Sequence, residues 1–425
     1  MDHVENQGSA SGYNTIKKKD VLAAHHRFHG RNWPLKTNRQ TRYPPVPNDL
    51  LELPAKQTDM TTTTDQHDKT GMAPDSSITL VDADVHCQIR SIEDLMPYLP
   101  NVWQHYIHES GLENPGKSWY PKVKRSAARD DAHPPNGVPP GSDLAFTQKQ
   151  HLDYWKIDRA IMNPLYGADF LYNADLSAAL CAAYNDFMIE HWYEKDKRLY
   201  GSMMIPWRDA DLAVREIERI GSHPRILQII LHMTPEVLWG QRPFHPIWAA
   251  AEKHNLVLGI HWGGYAPPRA TGGAAPSFYM EFHTTEALAA MAHIASFVCE
   301  GVFQKFPALK VAIIEGGMAW LPALMWRLDK DWRGCRMEVP WLTESPSKLI
   351  RRHIRLTTQP IEEPENPKHL LETINHMGSD NMLLFATDYP HWDFDSPAKA
   401  LPRQIPKPLQ KRIFADNAID FYGLT

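Results

Sequence analysis

The stretch ITLVDADVH (78–86) reads as a buried β-strand whose end carries two acids and a histidine. Ionised carboxylates are rarely buried unless they are paired with a cation or bound to a metal. Asp84 and His86 are two residues apart, so their side chains point to the same side of the strand and can reach one partner. The end of this strand therefore predicts a polar site.

Short apolar runs of the same kind recur along the rest of the chain and alternate with helical patterns. Seven further runs rich in Ile, Val and Leu are RAIMNPLY (159–166), LYGSMMIP (199–206), RILQIILH (225–232), LVLGIHWG (256–263), LKVAIIEGG (309–317), IRLTTQP (354–360) and MLLFATDYP (382–390). Helical periodicity appears at 209–220, 245–255, 283–303 and 367–378. Strands buried on both faces, each followed by a helix, predict an α/β fold, a (β/α)8 TIM barrel with insertions in the βα loops. A doubly wound open sheet is the alternative, although no GxGxxG follows the first strand.

The first 77 residues differ in composition from the barrel region, which we place at 78–425. They have few apolar clusters, a Lys17–Lys19 run and a Thr61–Thr64 tract. Such a segment cannot bury enough apolar surface to form a core. We expect residues 1–77 to be a disordered extension or, alternatively, an over-extended reading frame with the true start at Met60.

Composition argues against several classes of partner. The formal net charge of 425 residues is only −5, and no Lys/Arg cluster is interleaved with aromatic residues, so neither nucleic acid nor an anionic membrane surface is expected. No apolar run is long enough to span a membrane, and the N-terminus lacks a signal-peptide core. The four cysteines have no metal-ribbon spacing. These features favour a cytoplasmic protein that acts on a small molecule.

The polar residues at the strand ends define a candidate metal site. In such barrels the active site lies at the carboxyl ends of the strands. Strand one ends in Asp84 and His86, strand five in His261 and strand eight in Asp388. Imidazole nitrogens and carboxylate oxygens suit Zn²⁺, with Mn²⁺ or Fe²⁺ as alternatives. We predict one divalent metal ion, with zinc favoured.

Five segments resemble a known family in the same order along the chain. VDADVH, LGIHWGG, EGVFQKFPALKVAIIEGGMAWLPALMWRLD, LLFATDYPH and IFADNAIDFYGL are similar to the amidohydrolase-related (amidohydrolase 2) family of the metal-dependent amidohydrolase superfamily. That branch includes aminocarboxymuconate-semialdehyde decarboxylase and γ-resorcylate decarboxylase. The resemblance covers 78–425. It implies that Asp84, His86 and His261 bind the metal and that Asp388 both binds it and moves protons.

One position departs from the decarboxylases of that branch and decides the expected reaction. Those enzymes carry a catalytic histidine at the end of strand six, where this sequence has Glu315. A glutamate replaces that histidine only when protonated, so Glu315 could instead act as a base, a further ligand, a support for another group, or a loop cap. We therefore expect a metal-dependent hydrolase of an amide, ester or lactone of an aromatic or apolar acid. The alternatives are a metal-dependent decarboxylase of an aromatic or unsaturated acid, and a metal-free lactonase or binding barrel.

Weaker candidates complete the predicted site. His283 follows a Pro/Gly-rich loop that suits a lid, and it could supply the missing catalytic imidazole or lie on the surface. His391 could contact substrate or support the metal, and Arg208 could bind a substrate carboxylate. The segment 318–332 carries Trp and Met residues that could form a homodimer face or pack in the core.

Overall fold

A computed structural model of the protein describes residues 78–116, 120, 124–233, 236–263 and 276–424. The two expectations for residues 1–77, disorder or a start at Met60, lie outside the described residues.

Eight parallel strands follow one another around a nearly closed barrel in the order of the chain. They are β1 (Val81–Val85), β2 (Arg159–Met162), β3 (Leu199–Met203), β4 (Ile226–His232), β5 (Val257–His261), β6 (Lys310–Ile314), β7 (Ile354–Thr357) and β8 (Leu383–Leu384). Backbone hydrogen bonds join the last strand region to the first, from Ala83 N to Phe385 O at 2.8 Å and from Asp388 N to Asp84 O at 3.0 Å. The predicted (β/α)8 barrel is confirmed.

Helices lie between and around the strands. The α-helices of the described ranges are α1 (Asn101–Ser110), α2 (Leu144–Thr147), α3 (Ala174–Met188), α4 (Ala210–Ile220), α5 (His245–Lys253), α6 (Tyr279–Thr285), α7 (Ala287–Cys299), α8 (Val302–Lys305), α9 (Leu321–Cys335), α10 (Pro346–His353), α11 (Pro367–His376), α12 (Lys407–Lys411) and α13 (Asn417–Tyr422). Helix α4 begins as its sequence predicts, because the Asp209 side chain accepts a hydrogen bond from Leu212 N at 3.0 Å.

The apolar core leaves the carboxyl ends of the strands for polar groups. Inside the barrel, Val81 and Val257 at the starts of their strands pack in one buried cluster with Phe421 and Tyr422 of the C-terminal helix α13. That helix fills the end of the barrel at which the strands begin. The opposite end is where the strand-end acids and histidines meet.

Every observed strand is shorter than the run that predicted it, and two predicted elements are interrupted by left-handed backbone conformations. The run 382–390 forms a strand only at Leu383–Leu384, since Asp388 further on adopts a left-handed backbone conformation, φ 59°, that a strand cannot contain. The predicted helix 283–303 is divided into α6, α7 and α8, with Gly301 at φ 70° separating the last two. Both interruptions place side chains at the carboxyl end of the barrel or beside it.

Within the described ranges, no helix has the length and apolar character needed to cross a bilayer. In helix α9, Leu321 and Met325 are buried, whereas Trp326 is 56% exposed. The segment therefore divides between core packing and exposed surface, and the homodimer remains a prediction.

Candidate metal centre and active site

The four predicted metal ligands meet at the carboxyl end of the barrel. Asp84, His261 and Asp388 are fully buried and His86 is nearly so. His86 Nε2 lies 2.8 Å from Asp388 Oδ1 and 3.4 Å from Asp84 Oδ1, and His261 Nε2 lies 3.4 Å from the other oxygen of Asp84. The prediction that these strand ends converge is correct.

Both histidines are oriented so that the same ring nitrogen faces the centre. His86 Nδ1 donates a hydrogen bond to the carbonyl of Asn163 at 2.7 Å, and His261 Nδ1 donates to the carbonyl of Trp262. A carbonyl can only accept, so Nδ1 carries the proton in each ring and Nε2 of the neutral ring keeps a lone pair. This is the arrangement that metal-binding histidines adopt.

The unpaired polar atoms of the centre fit a divalent cation. Asp84 Oδ2, Asp388 Oδ2, Glu315 Oε2 and His261 Nε2 are buried, and no described residue gives any of them a hydrogen bond. Leaving such atoms unsatisfied is costly. Two ligand atoms each about 2.1 Å from one ion lie about 3.0 to 3.4 Å apart, and the 3.4 Å contacts of His86 and of His261 with Asp84 fall in this range, whereas His86 is hydrogen-bonded to Asp388 at 2.8 Å. The residues present therefore fit a bound metal.

Burial and mutual charge shift the protonation of the centre. Burial by itself would raise the pKa of Asp84, but the neighbouring His86 and His261 lower it to about 2. Burial by itself would lower the pKa of His86, but Asp84 and Asp388 raise it to about 10. Burial and the nearby Asp393 carboxylate raise the pKa of Asp388 well above its ordinary value. The histidines therefore favour the charged form of Asp84, and the acids favour protonation of His86.

Two residues of the centre have a strained backbone. Glu315 and Asp388 have φ of 57° and 59°, a left-handed conformation that is uncommon for residues with side chains. Each is held there by a hydrogen bond, from Glu315 N to Thr357 Oγ1 at 3.0 Å and from Asp388 N to Asp84 O at 3.0 Å. Such strain persists where the surroundings over-determine the conformation, which is common at functional sites.

A buried network of hydrogen-bonded polar side chains orients Asp84. Asn163 Nδ2 donates to Asp84 Oδ1 at 2.8 Å, and Asn163 Oδ1 in turn accepts from Ser202 at 2.6 Å and from Gln228 at 2.9 Å. The Tyr422 hydroxyl donates to Gln228 at 2.9 Å. This network leaves the second Asp84 oxygen directed at His261.

The weaker candidates His283 and His391 lie beside the centre. His391 Nδ1 is 2.6 Å from Asp388 Oδ1, and its ring stacks on His86 with centroids 4.3 Å apart. His283, on the short helix α6, has Nε2 3.4 Å from Glu315 Oε1 and 3.3 Å from Asp393 Oδ2. Burial, followed by the charge of Asp388, raises the pKa of Glu315 to about 7. Helix α6 thus brings an imidazole to the end of strand six, and residues 264–275 of the loop predicted to be a lid lie outside the described residues.

A cavity of about 100 Å³ opens onto these groups. Its wall includes the rings of Trp262, Tyr279 and Trp392 together with the side chains of Glu315 and His391. Ser126, Ala127, Ala128 and Pro140, from the loop after β1, also line it. The cavity is therefore part apolar and part acidic or basic, as a site for a small organic acid requires.

Arg208 is not part of this cavity. Its guanidinium pairs with Glu236 at 2.7 Å and lies over the rings of Trp207 and Tyr172. The prediction of a substrate contact at Arg208 therefore has no support from its position. Its place just past strand three suggested the role, but an ion pair and two rings already engage the side chain.

Sequence reasoning missed Asp393 and Asn163. Asp393 follows His391 in the segment DYPHWDFD, and its proximity to Asp388 was the available signal. Asn163 stands at the end of strand two, where a polar residue interrupts RAIMNP. The expectation that polar residues at the carboxyl ends of the strands belong to the site would also have identified Asn163.

Comparison with known proteins defines the class to which this barrel and site belong. The Amidohydrolase family model matches residues 82–424, and the chain belongs to that family. The expected resemblance is confirmed.

Particular relatives refine this assignment. The chain is 23% identical over 256 residues to γ-resorcylate decarboxylase from Polaromonas sp. strain JS666, covering 56% of this chain and 75% of that protein. Among solved structures, 5-carboxyvanillate decarboxylase from Sphingomonas paucimobilis shares 20% identity at a TM-score of 0.58, covering 82% of this chain and all of that one. A dihydroxybenzoic acid decarboxylase from Polaromonas sp. JS666, with bound manganese and the inhibitor 2-nitroresorcinol, shares 17% identity at a TM-score of 0.56 over 82% and 97% of the two chains.

These relatives overturn the expectation of a hydrolase. That expectation rested on the absence of a histidine at the end of strand six, but His283 from helix α6 lies 3.4 Å from Glu315 and brings an imidazole there. The related proteins with a stated activity are decarboxylases, so the alternative is the better supported prediction. A divalent metal is supported by the manganese of a structural neighbour and by the ligand geometry, whereas the preference for zinc is not.

Proposed function

We propose that the protein is a metal-dependent, non-oxidative decarboxylase of a small aromatic acid that carries a hydroxyl group beside its carboxylate. The observation that carries the proposal is the convergence of two imidazole Nε2 atoms and two carboxylates at a cavity walled by aromatic rings. The decarboxylases similar to this chain support it. The metal-free alternatives are disfavoured, because they leave the buried ligand atoms unsatisfied.

In this proposal Asp84, His86, His261 and Asp388 hold one divalent cation, with Mn²⁺ favoured by the structural neighbour. When bound, the cation would hold the hydroxyl and carboxylate oxygens of the substrate and stabilise negative charge on them. The Asn163 network and the carbonyl of Trp262 orient the ligands, so little reorganisation is needed on binding. Glu315 lies within reach of the same centre, 3.4 Å from His261 Nε2.

Asp388 is the proposed proton donor. Its Oδ2 is buried without a hydrogen-bond partner among the described residues and would bind the cation, whereas Oδ1 contacts the His391 ring that lines the cavity and would carry the proton on its way to the substrate. The proton adds to the ring carbon that bears the carboxylate. The electrons of the bond to the carboxylate then return to the ring as CO₂ leaves. His391 restores the proton on Asp388 from the cavity side.

The aromatic wall has two consequences for this chemistry. Trp262, Tyr279 and Trp392 pack against one another and against His283, with ring centroids 5.0 to 6.4 Å apart. Flat apolar rings favour an aromatic substrate, and they exclude water from the groups that transfer the proton.

The test is release of CO₂ from a panel of aromatic acids by protein loaded with Mn²⁺. The panel contains 2,6-dihydroxybenzoate, 5-carboxyvanillate and benzoates without an ortho hydroxyl group. We expect metal-dependent CO₂ release from an ortho-hydroxylated acid and none after chelation. Hydrolysis of ester or lactone substrates without any CO₂ release from the acids would contradict the proposal.

A further inference from the structure

A second group of potential ligands lies beside the four that hold the proposed metal. It consists of His283 from α6, Glu315 from the end of β6 and Asp393 from the loop after β8, and we call it the outer cluster. One ligand atom from each of the three residues lies within 4.8 Å of the other two. The reaction proposed above does not use His283 or Asp393.

We propose that the outer cluster binds a second divalent cation, with the Glu315 carboxylate shared between the two metals. The inference rests on the proposed function in one respect, because Glu315 Oε2 faces His261 of the first centre while Oε1 faces His283. One imidazole and two carboxylates, with positions left open towards the cavity, suit Mn²⁺, Fe²⁺ or Zn²⁺.

The distances within the outer cluster are those expected of atoms that bind one ion, and the contacts of His283 are not hydrogen bonds. His283 Nε2 lies 3.4 Å from Glu315 Oε1 and 3.3 Å from Asp393 Oδ2, yet it has no hydrogen-bond partner among the described residues. A single ring N–H can point at only one of two oxygens, and here it points at neither. The separations match those of atoms each about 2.1 Å from one ion.

Asp393 supplies a second observation that points to a ligand, beyond its 3.3 Å contact with His283. Both of its carboxylate oxygens are buried, and neither accepts a hydrogen bond from any described residue. An acid with no hydrogen bond at either buried oxygen is costly unless a cation compensates it. Without metal, a protonated His283 would pair with both carboxylates; a cation that replaces this proton leaves a neutral imidazole and two carboxylates, whose formal charge of −2 one divalent cation balances.

The surroundings of the outer cluster indicate what a cation there would do. Asp393 and Glu315 line the cavity, and the rings of Trp262 and Trp392 lie 5.0 Å and 5.8 Å from the His283 ring. A cation at this point has open positions towards the cavity and would bind an oxygen of the substrate acid. It would also tie helix α6 to the ends of β6 and β8.

Metal counting tests this inference. Protein freed of metal is dialysed against excess MnCl₂, and bound manganese is measured by elemental analysis. We expect two Mn²⁺ per chain in the wild type, and one in His283→Ala and in Asp393→Asn. Asp395→Asn is the matched control, since Asp395 is a half-buried acid of the same loop that lies outside both ligand groups, and it should retain two.

Electron paramagnetic resonance of the wild type gives a readout that needs no variant. Two Mn²⁺ ions that share Glu315 should give a spin-coupled spectrum at full loading. One Mn²⁺ per chain with an uncoupled six-line spectrum would overturn the second site and leave the proposed function intact. Two Mn²⁺ in both outer-cluster variants would also overturn it, and no bound metal in the wild type would overturn both proposals.

Discussion

At the scale of single residues, Asp388 is the group on which the proposed chemistry depends most. Its strained φ of 59° and its contacts with His86 and His391 direct one carboxylate at both the metal position and the cavity. The residues at the strand ends could be predicted from sequence, because a polar residue that closes an apolar run has a defined place in a barrel.

Asp388→Asn should lower the rate of CO₂ release by about 10² to 10⁴-fold, because the amide cannot donate a proton at neutral pH. Initial rates at saturating substrate and Mn²⁺ measure this loss. Far-ultraviolet circular dichroism checks that the variant is folded. A folded variant with the wild-type rate would remove Asp388 from the mechanism.

Metal affinity should rise with pH. Asp84 and Asp388 raise the pKa of His86 to about 10 despite its burial, so below that pH a proton occupies the ring nitrogen that the metal needs. Each displaced proton adds up to about tenfold in affinity per pH unit, which is about 1.4 kcal/mol. Titration with Mn²⁺ between about pH 6 and about pH 8 measures the slope. An affinity independent of pH would contradict the protonation assigned to the centre.

Asp169 should make folding less favourable as pH rises. Burial raises its pKa to about 7, and its carboxylate oxygens accept no hydrogen bond from the described residues. Between about pH 4, the unfolded pKa, and about pH 7, the native state binds the extra proton, so stability falls as pH increases through this window. Asp169→Asn should therefore gain stability relative to wild type from pH 4.5 to pH 8, by roughly a few kcal/mol. Urea unfolding at both pH values measures the difference, and an equal difference at both would contradict the account.

At the scale of elements, Asp82 joins the first and last strands beneath the metal position. Its Oδ1 accepts from Thr387 N at 3.0 Å, and its Oδ2 accepts from Thr387 Oγ1 at 2.6 Å and from His151 at 2.9 Å. Asp84 and Asp388 lie two residues and one residue beyond these anchor points. The acid therefore sets the relative position of two proposed ligands without facing the cavity.

Asp82→Asn should weaken Mn²⁺ binding by about 10 to 100-fold, as loss of groups that orient metal ligands does. The amide cannot accept at both positions, so two contacts of the carboxylate are disturbed. Asp196→Asn is the control, because Asp196 forms a part-buried pair with Arg198 at the start of β3 and should affect stability without affecting metal binding. Equal Mn²⁺ affinity in Asp82→Asn and wild type would contradict the positioning role.

The positions of the strands could be predicted from the sequence, whereas their exact lengths and the breaks between helices could not. The apolar runs located all eight strands, because strands buried on both faces are apolar throughout. The shortness of β8 and the division of 283–303 depend on backbone conformations at Asp388 and Gly301 that periodicity does not encode. His283 and Asp393 come from such interrupted segments, so their meeting at Glu315 required the folded chain.

At the scale of the whole molecule, one end of the barrel is closed by apolar packing and the opposite end holds the proposed active site. Helix α13 and the interior cluster close one end with apolar packing, and the other end collects buried acids and histidines that are costly without a cation. The predicted location in the cytoplasm and the predicted homodimer stay predictions.

Mn²⁺ should therefore stabilise the whole fold. A ligand that binds only the native state adds about 2.7 kcal/mol when present at about 100 times its dissociation constant. Thermal unfolding of metal-free protein with and without MnCl₂ should show a rise in Tm, and chelation should reverse it. Asp388→Asn, which lacks one charged ligand, should show a smaller rise. A Tm unaffected by Mn²⁺ would contradict the fit of the residues to a cation.

An anomalous-scattering map of crystals grown with MnCl₂, recorded near the manganese absorption edge, would locate the metal directly. The account predicts a strong peak about 2.0 to 2.3 Å from Asp84, from Nε2 of His86 and His261, and from Asp388. Absence of a peak among these four residues, with manganese present in the crystal, would contradict it.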